Sequence, residues 1–329
     1  MKVLIVKTSS MGDVIHTLPA LTDAARAIPG IEFDWVVEEN FREIPLWHSS
    51  VGEVIPVAIR RWRKNLLQTW RGGEWQRYRQ QLQRTEYDAV IDAQGLLKSA
   101  LLATRLAKGP SFGLDKSSAR EPLAARFYDH PIPVAKNQHA VERVRQLFAA
   151  ALGYPLPAER GDFSIRHHFV DAEQAHSPYL VFQHSTTRFD KHWPEPYWQQ
   201  LIKIAGDAGW KIKLPWGNAN EQQRAERLAQ SHPNCEVLPR LSLNQVAAVL
   251  AHAQACVSVD TGLSHLAAAL DIPNIILFGP TDPGLVGGYG KDQVCLKAAD
   301  YPAAESNVEP EIFRNLTPEI VFAQLKAHL

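Results

Sequence analysis

The run Val257-Ser258-Val259-Asp260-Thr261-Gly262-Leu263-Ser264-His265 carries an apolar strand through a glycine turn into a small apolar helix, Leu266-Ala267-Ala268-Ala269-Leu270. A junction of this kind binds anions. The first N–H groups of a helix have no partner within it, they carry roughly half a positive charge, and glycine allows close backbone approach. The carboxyl edge of a strand is also where open α/β sheets hold their ligands, so the expected ligand is a phosphate or pyrophosphate. A second such junction opens the chain, where Val3-Leu4-Ile5-Val6 leads through Lys7-Thr8-Ser9-Ser10-Met11-Gly12-Asp13 into an amphipathic pattern carrying Val14, Ile15, Leu18 and Leu21.

A third segment, His184-Ser185-Thr186-Thr187-Arg188-Phe189-Asp190-Lys191-His192-Trp193-Pro194, supplies two adjacent hydroxyls and an ammonium group before a helix expected to begin near Pro194. A polar loop ahead of a helix with proline in its first turn is its plain alternative. Asp260 and His265 likewise admit a capping or packing role, and Ser10 with Asp13 has capping-box spacing. So do Asn218 and Glu221, in Pro215-Trp216-Gly217-Asn218-Ala219-Asn220-Glu221.

The elements that must position these groups alternate. Strand-like runs at 3–6, 33–37, 54–57 and 89–91 are interleaved with helical patterns after Gly12, around 75–82, over 96–106 and over 141–152. After an irregular stretch beginning Gly153-Tyr154-Pro155-Leu156-Pro157, the alternation resumes with strand-like runs at 179–182, 211–214, 235–238, 255–259 and 275–278. Strand–helix alternation means parallel sheet, and 329 residues accommodate two domains. The expected architecture is α/β, two facing Rossmann-like doubly wound domains over 1–165 and 166–315 with a cleft between them, and a final helix over 316–329 returning to the first domain.

Composition narrows the classes. The chain is formally neutral, but 21 Lys and Arg against 16 Asp and Glu in residues 1–150 leave the first part at +5 and the remainder at −5. The basic part suits an acidic substrate or a charged membrane surface. No nucleic-acid-binding motif is present. Three widely spaced cysteines without a C-x-x-C pair suit a reducing cytoplasm, and no apolar run approaches the roughly 20 residues that span a bilayer. There is no G-x-G-x-x-G, no G-x-x-x-x-G-K-[ST] and no Asp-x-Asp. Without clustered carboxylates to hold a divalent ion, a diphosphate would be met by lysine, hydroxyls and backbone N–H groups, so no metal is expected.

The ordered set Lys7 to Asp13, Thr186 to Pro194, Asp260 to His265 and Phe278-Gly279-Pro280-Thr281-Asp282-Pro283 resembles the heptosyltransferase I branch of glycosyltransferase family 9, over essentially the whole chain. The resemblance implies a GT-B enzyme that moves heptose from ADP-heptose onto the first Kdo sugar of Kdo2-lipid A. It implies inversion of the anomeric centre and peripheral attachment to the anionic cytoplasmic face of the inner membrane. A sister enzyme adding the second heptose, a sugar-nucleotide epimerase of the same fold and a non-catalytic nucleotide-sugar binder are the alternatives.

By the same resemblance Thr186, Thr187 and Lys191 hold the donor phosphates with Thr261 and Gly262, and Asp260 and His265 stand near phosphate or heptose. Glu221 accepts ribose hydroxyls, Leu241 touches adenine, and Asp13 is the catalytic base beside Ser10 and Gly12. Arg120 and Arg143 fall on the acceptor side. Arg60-Arg61-Trp62-Arg63-Lys64, four cations around one aromatic, is the further acceptor candidate, with the indole against sugar or acyl chain; a solvated basic loop is its plain alternative. The chain is least family-like over Arg71 to Arg79, with Trp70 and Trp75 interleaved.

Overall fold

The computed structural model describes all residues except 65–68, 70–71, 171–176 and 303–306; Trp70 and Arg71, singled out above, lie outside the described residues. The chain divides into two compact units, Met1–Ser164 and Ile165–Leu329.

The first unit contains a six-stranded sheet in the order β3-β2-β1-β4-β5-β6, every pairing parallel. Its strands are β1 (Lys2–Val6), β2 (Glu32–Glu38), β3 (Val51–Val57), β4 (Ala89–Asp92), β5 (Ser111–Leu114) and β6 (His130–Ile132). β1, β2 and β4 are buried almost throughout, which is why they read as continuous apolar runs. Order reverses between β1 and β4. The loops leaving these two strands therefore diverge to opposite faces and open a crevice at their carboxyl ends.

The second unit repeats the plan with β12-β11-β10-β7-β8-β9, again all parallel. Here β7 is Tyr179–Gln183, β8 Lys211–Leu214, β9 Cys235–Val237, β10 Ala255–Val259, β11 Asn274–Phe278 and β12 Gln293–Lys297. The reversal falls between β7 and β10, so the loops after Gln183 and Val259 share the crevice. Trp193 and Trp198 anchor the core, ring against ring with centroids 5.0 Å apart. The helix Pro318–Lys326 belongs to this same core and not to the first domain as the sequence suggested: Val321 and Leu325 are fully buried in the cluster around Trp193, and the Trp193 indole donates to the Leu316 carbonyl at 2.9 Å. Its apolar stripe is complementary to the helix Glu195–Asp207, against which it packs.

The amphipathic stretch after Gly12 forms two helices, Met11–Ile15 and Leu18–Ala27, since Pro19 fits only a helix start. Within the helix Ala140–Leu152, Arg145 is buried and donates to Asp23 at 2.6 Å and to the carbonyl of Glu159 at 2.9 Å. This closes the first unit around its own C-terminal segment.

Candidate active site

At the first switch point, the end of β1 is fixed from both sides. The Trp35 indole on β2 donates to the Lys7 carbonyl at 3.0 Å, and the Lys7 ammonium donates to the Ala93 carbonyl after β4 at 2.8 Å. Gln94 Oε1 accepts from Thr8 N–H at 2.8 Å and Ser9 N–H at 3.0 Å. Gln94 is itself seated by the fully buried Asp92, which accepts from the N–H groups of Gln94 and Gly95 and from the hydroxyls of Ser99 and Thr104. Gly95 turns the chain in the left-handed region, φ +64°, which favours glycine.

That braced loop delivers Ser10 and Asp13. Asp13 Oδ2 accepts from the Ser10 N–H at 2.7 Å and the Ser10 hydroxyl at 2.8 Å, and Oδ1 lies 3.9 Å from the Lys7 ammonium. The capping geometry read from the spacing is therefore present, and it aims the carboxylate without consuming it: the Asp13 side chain remains 42% exposed. Gly12 is buried beneath.

Asp13 lines a cavity of about 400 Å³ together with Lys7, Arg120, Lys136 and Arg143. Four cations thus surround one carboxylate. Burial lowers the pKa of Lys7, against the opposing pull of Asp13 and Asp92, and burial also lowers that of Arg143, which donates to the Ser118 carbonyl at 2.7 Å. Cations stripped of water gain most from an anionic ligand. Arg120 and Lys136 form no ion pair among the described residues. Lys136, Lys7 and Gln94 were not assigned from sequence. The signal for Gln94 was present, since Asp92-Ala93-Gln94-Gly95 repeats the strand–glycine–helix order of the other junctions; Lys136 lies in no such pattern.

The charge run after β3 is differently occupied. Arg61 is held by Glu39 and Glu74, with guanidinium–carboxylate contacts of 3.0 and 2.6 Å. Trp62 is buried among Trp75 and Tyr78, ring centroids 5.8 and 5.4 Å away, so it is a core residue and does not face sugar or acyl chain. An indole sheltered this well stabilises the domain more than it would a ligand. Arg60, Arg63 and Lys64 are exposed at the same carboxyl edge of the sheet, outside the lining of the 400 Å³ cavity.

At the second switch point, Lys191 and Asp260 form an ion pair of 2.5 Å, both side chains largely buried, and the Thr186 hydroxyl donates to the Asp260 carbonyl at 3.1 Å. Residues from the loops after β7 and β10 thus meet at one edge of the sheet. Gly279, following β11, makes this possible: a Cβ there would stand 3.0 Å from the Asp190 carbonyl and 2.9 Å from the Phe313 ring, so any side chain would displace the turn that carries Lys191. Thr187 is exposed beside it. The helix Gly262–Ala269 starts at Thr261, whose side chain makes no cap, and its first turn is anchored from below by Asn274, which donates to the Ser264 carbonyl at 3.4 Å. His265 is buried on that helix. His184, also buried, is pushed down to about 3 by desolvation and by the nearby Arg224 charge, so it is neutral at pH 7.

Glu221 binds its own helix start, accepting from Gly217 N–H and from the Asn218 amide at 2.7 Å each, while Trp216 donates to the Leu238 carbonyl at 2.6 Å. Leu241 is half-buried just before the capped helix Leu243–Ala251. Neither is linked to the Lys191–Asp260 pair by a hydrogen bond among the described residues. No three His, Cys, Asp or Glu side chains cluster as a metal site among the described residues.

Residues 75–316 match the model of glycosyltransferase family 9 (heptosyltransferase). The chain belongs to glycosyltransferase family 9. This heptosyltransferase is 57% identical to lipopolysaccharide heptosyltransferase 1 of Pseudomonas aeruginosa, over 100% of this chain and 98% of that protein. It is 60% identical to the Escherichia coli protein of the same name, over 91% and 94%. The solved structure of E. coli heptosyltransferase WaaC with ADP superposes with a TM-score of 0.93 at 55% identity, covering 100% of both chains. The two parallel six-stranded sheets are accordingly those of a glycosyltransferase.

Proposed function

We propose that this family 9 enzyme transfers heptose from ADP-heptose to the first Kdo sugar of Kdo2-lipid A in assembly of the lipopolysaccharide inner core, inverting the anomeric carbon and using no metal ion. The observation that carries this reading is the Asp13 pocket: one carboxylate among four cations, on a unit with no other site of that chemistry near a switch point among its described residues. Kdo is a carboxylated sugar on a phosphorylated lipid, so an acceptor hydroxyl can be delivered to Asp13 by the same charges that hold its anions. E. coli heptosyltransferase WaaC has been solved with ADP and with ADP-2-deoxy-2-fluoro heptose, which supports an ADP-sugar donor.

The chemistry follows in one displacement. Asp13 takes the proton of the acceptor hydroxyl as its oxygen bonds to C1 of heptose, and the C1–O bond to ADP breaks on the opposite face. Negative charge grows on the departing diphosphate. Lys191, Thr187 and the N–H groups opening the helix Gly262–Ala269 receive it, joined by Thr186 once its hydroxyl turns from the Asp260 carbonyl, so they stabilise the transition state more than the ground state. His265 lies in the first turn of that helix, and Asp260, two residues ahead of its start, orients Lys191. No helix among the described residues is long and apolar enough to cross a membrane; contact with the inner membrane's cytoplasmic face would be peripheral.

The test is ADP release coupled to product analysis. With ADP-heptose and Kdo2-lipid A, ADP appears only when both are present and the new linkage has the opposite anomeric configuration to the donor. Release that requires an already heptosylated acceptor would assign the second heptose instead, and epimerised donor without acceptor would assign an epimerase. Arg120→Ala and Arg143→Ala each raise the acceptor KM about tenfold or more, the worth of a charge-assisted hydrogen bond, without changing the donor KM. Equal acceptor KM values in variant and wild type would remove these residues from the site.

A further inference from the structure

The loop over residues 114–123 has two sides. Leu114, Ser118 and Arg120 face the Asp13 cavity. Asp115, Lys116, Pro122 and Leu123 line a second cavity of about 510 Å³, closed by Ala125, Arg126 and Pro131. The loop is stiff. The Asp115 carboxylate accepts from Ser118 N–H at 2.8 Å and from the Ser117 hydroxyl at 2.8 Å, and hydrogen bonding from the Ser118 side chain first, then from Ser117 and the backbone, holds its pKa below the usual carboxylate range. The Ser118 hydroxyl in turn accepts from Val134 N–H at 2.8 Å.

With the Asp115 oxygens occupied by the loop, Lys116 and Arg126 are the groups at this cavity able to meet an anion, and neither forms an ion pair among the described residues. The wall between them is apolar: Pro122, Leu123, Ala125 and Pro131. Leu123 is 53% exposed, and the adjoining helical turn over Ala100–Thr104, packed on Pro122–Phe127 through the fully buried Ala100 and Ala124, exposes Leu101 by 46%. Two exposed leucines beside free cations match a molecule that is anionic and apolar at once.

We propose that this groove is the subsite for the lipid end of the acceptor, taking a phosphate on Lys116 and Arg126 and the start of an acyl chain along Pro122 and Leu123, while the sugar end occupies the Asp13 cavity on the other side of the same loop. The proposal rests on the acceptor reading given above. It commits to the acceptor and not to the bilayer, because the groove is concave and shares its wall with the pocket that holds the reacting end. The loop then measures the acceptor: one side reads its carboxylate, the other its phosphate and acyl chain.

Leu123→Asp and Arg126→Glu, made singly, test it against two acceptors, Kdo2-lipid A in detergent micelles and the same molecule with its acyl chains removed. With the acylated acceptor both variants raise KM about tenfold, the scale of one lost apolar burial or one lost ionic contact, at wild-type kcat and donor KM. With the deacylated acceptor Leu123→Asp keeps only the smaller loss that its new carboxylate imposes on the nearby phosphate, whereas Arg126→Glu keeps its full defect because the phosphate remains. Unchanged KM for the acylated acceptor would overturn the subsite, as would an equal loss for both acceptors in Leu123→Asp. Sedimentation with acceptor-free phosphatidylglycerol vesicles is expected to be the same for variants and wild type; loss of vesicle binding with intact acceptor KM would make the groove a bilayer contact and overturn the proposal. If wild type released no ADP with either acceptor, the acceptor reading itself would fall.

Discussion

Asp13→Asn lowers kcat by about 10²–10⁴ and leaves the affinity for ADP-heptose unchanged, the loss expected when a positioned general base is removed, or roughly 3–5 kcal/mol of barrier. Asparagine is the informative replacement. Its side-chain oxygen still accepts from the Ser10 N–H and hydroxyl, which bind Asp13 at 2.7 and 2.8 Å, so the helix start survives while the base does not. Asp13→Ala removes both, adding about 0.5–2 kcal/mol of lost capping to the same catalytic defect. A carboxylate is a weak base, so the contribution of Asp13 comes late, as the attacking oxygen gives up its proton. Turnover of Asp13→Asn near the wild-type value would show that the carboxylate is only a cap. Donor affinity, read by titration calorimetry, and ADP release, read by a coupled assay, separate these outcomes.

The second large effect falls on the leaving group. Lys191→Ala reduces kcat/KM for the donor by about 10²–10³, the cost of deleting one preorganised donor to developing negative charge, and leaves the acceptor KM alone. An ammonium has three N–H donors, so its 2.5 Å pair with Asp260 orients it without exhausting it. Removing Lys191 also strands the buried Asp260 carboxylate, which destabilises the second unit. Lys191→Arg restores the charge and the pairing to Asp260, and with them part of the rate; it does not restore the compact ammonium geometry. A kcat/KM unaffected by Lys191→Ala would remove the lysine from the diphosphate.

The residues that meet across the second switch point were legible because glycine turns, hydroxyls and a lysine recur at strand ends, where parallel topology brings loops together. Topology is written in the alternation of apolar runs, and β1, β2, β4, β7, β8, β10 and β11 are strongly apolar or strongly alternating. Ser111–Leu114, His130–Ile132 and Gln293–Lys297 left no such mark. They are short and mixed, lie at or beside sheet edges, and owe their extended form to pairing with a neighbour more than to propensity. The final helix was legible as a helix but not in its partner, because an apolar stripe does not specify which core it enters. The cation run at Arg60 to Lys64 shows the limit most clearly. Its charges are evident, whereas the partners that occupy Arg61 come from Glu39 and Glu74, and the aromatic wall that buries Trp62 comes from another helix. Lys136 joins the Asp13 cavity by the same kind of long-range placement, and Gln94 braces the loop through contacts 85 and 86 residues away in sequence.

We propose that a lysine, hydroxyls and a helix start neutralise the departing diphosphate without a divalent ion. The most direct test is the rate of ADP release from enzyme dialysed against a chelator and assayed in the chelator's presence, then again with manganese or magnesium restored. One rate is expected throughout. Activity lost to the chelator and regained with manganese would contradict it.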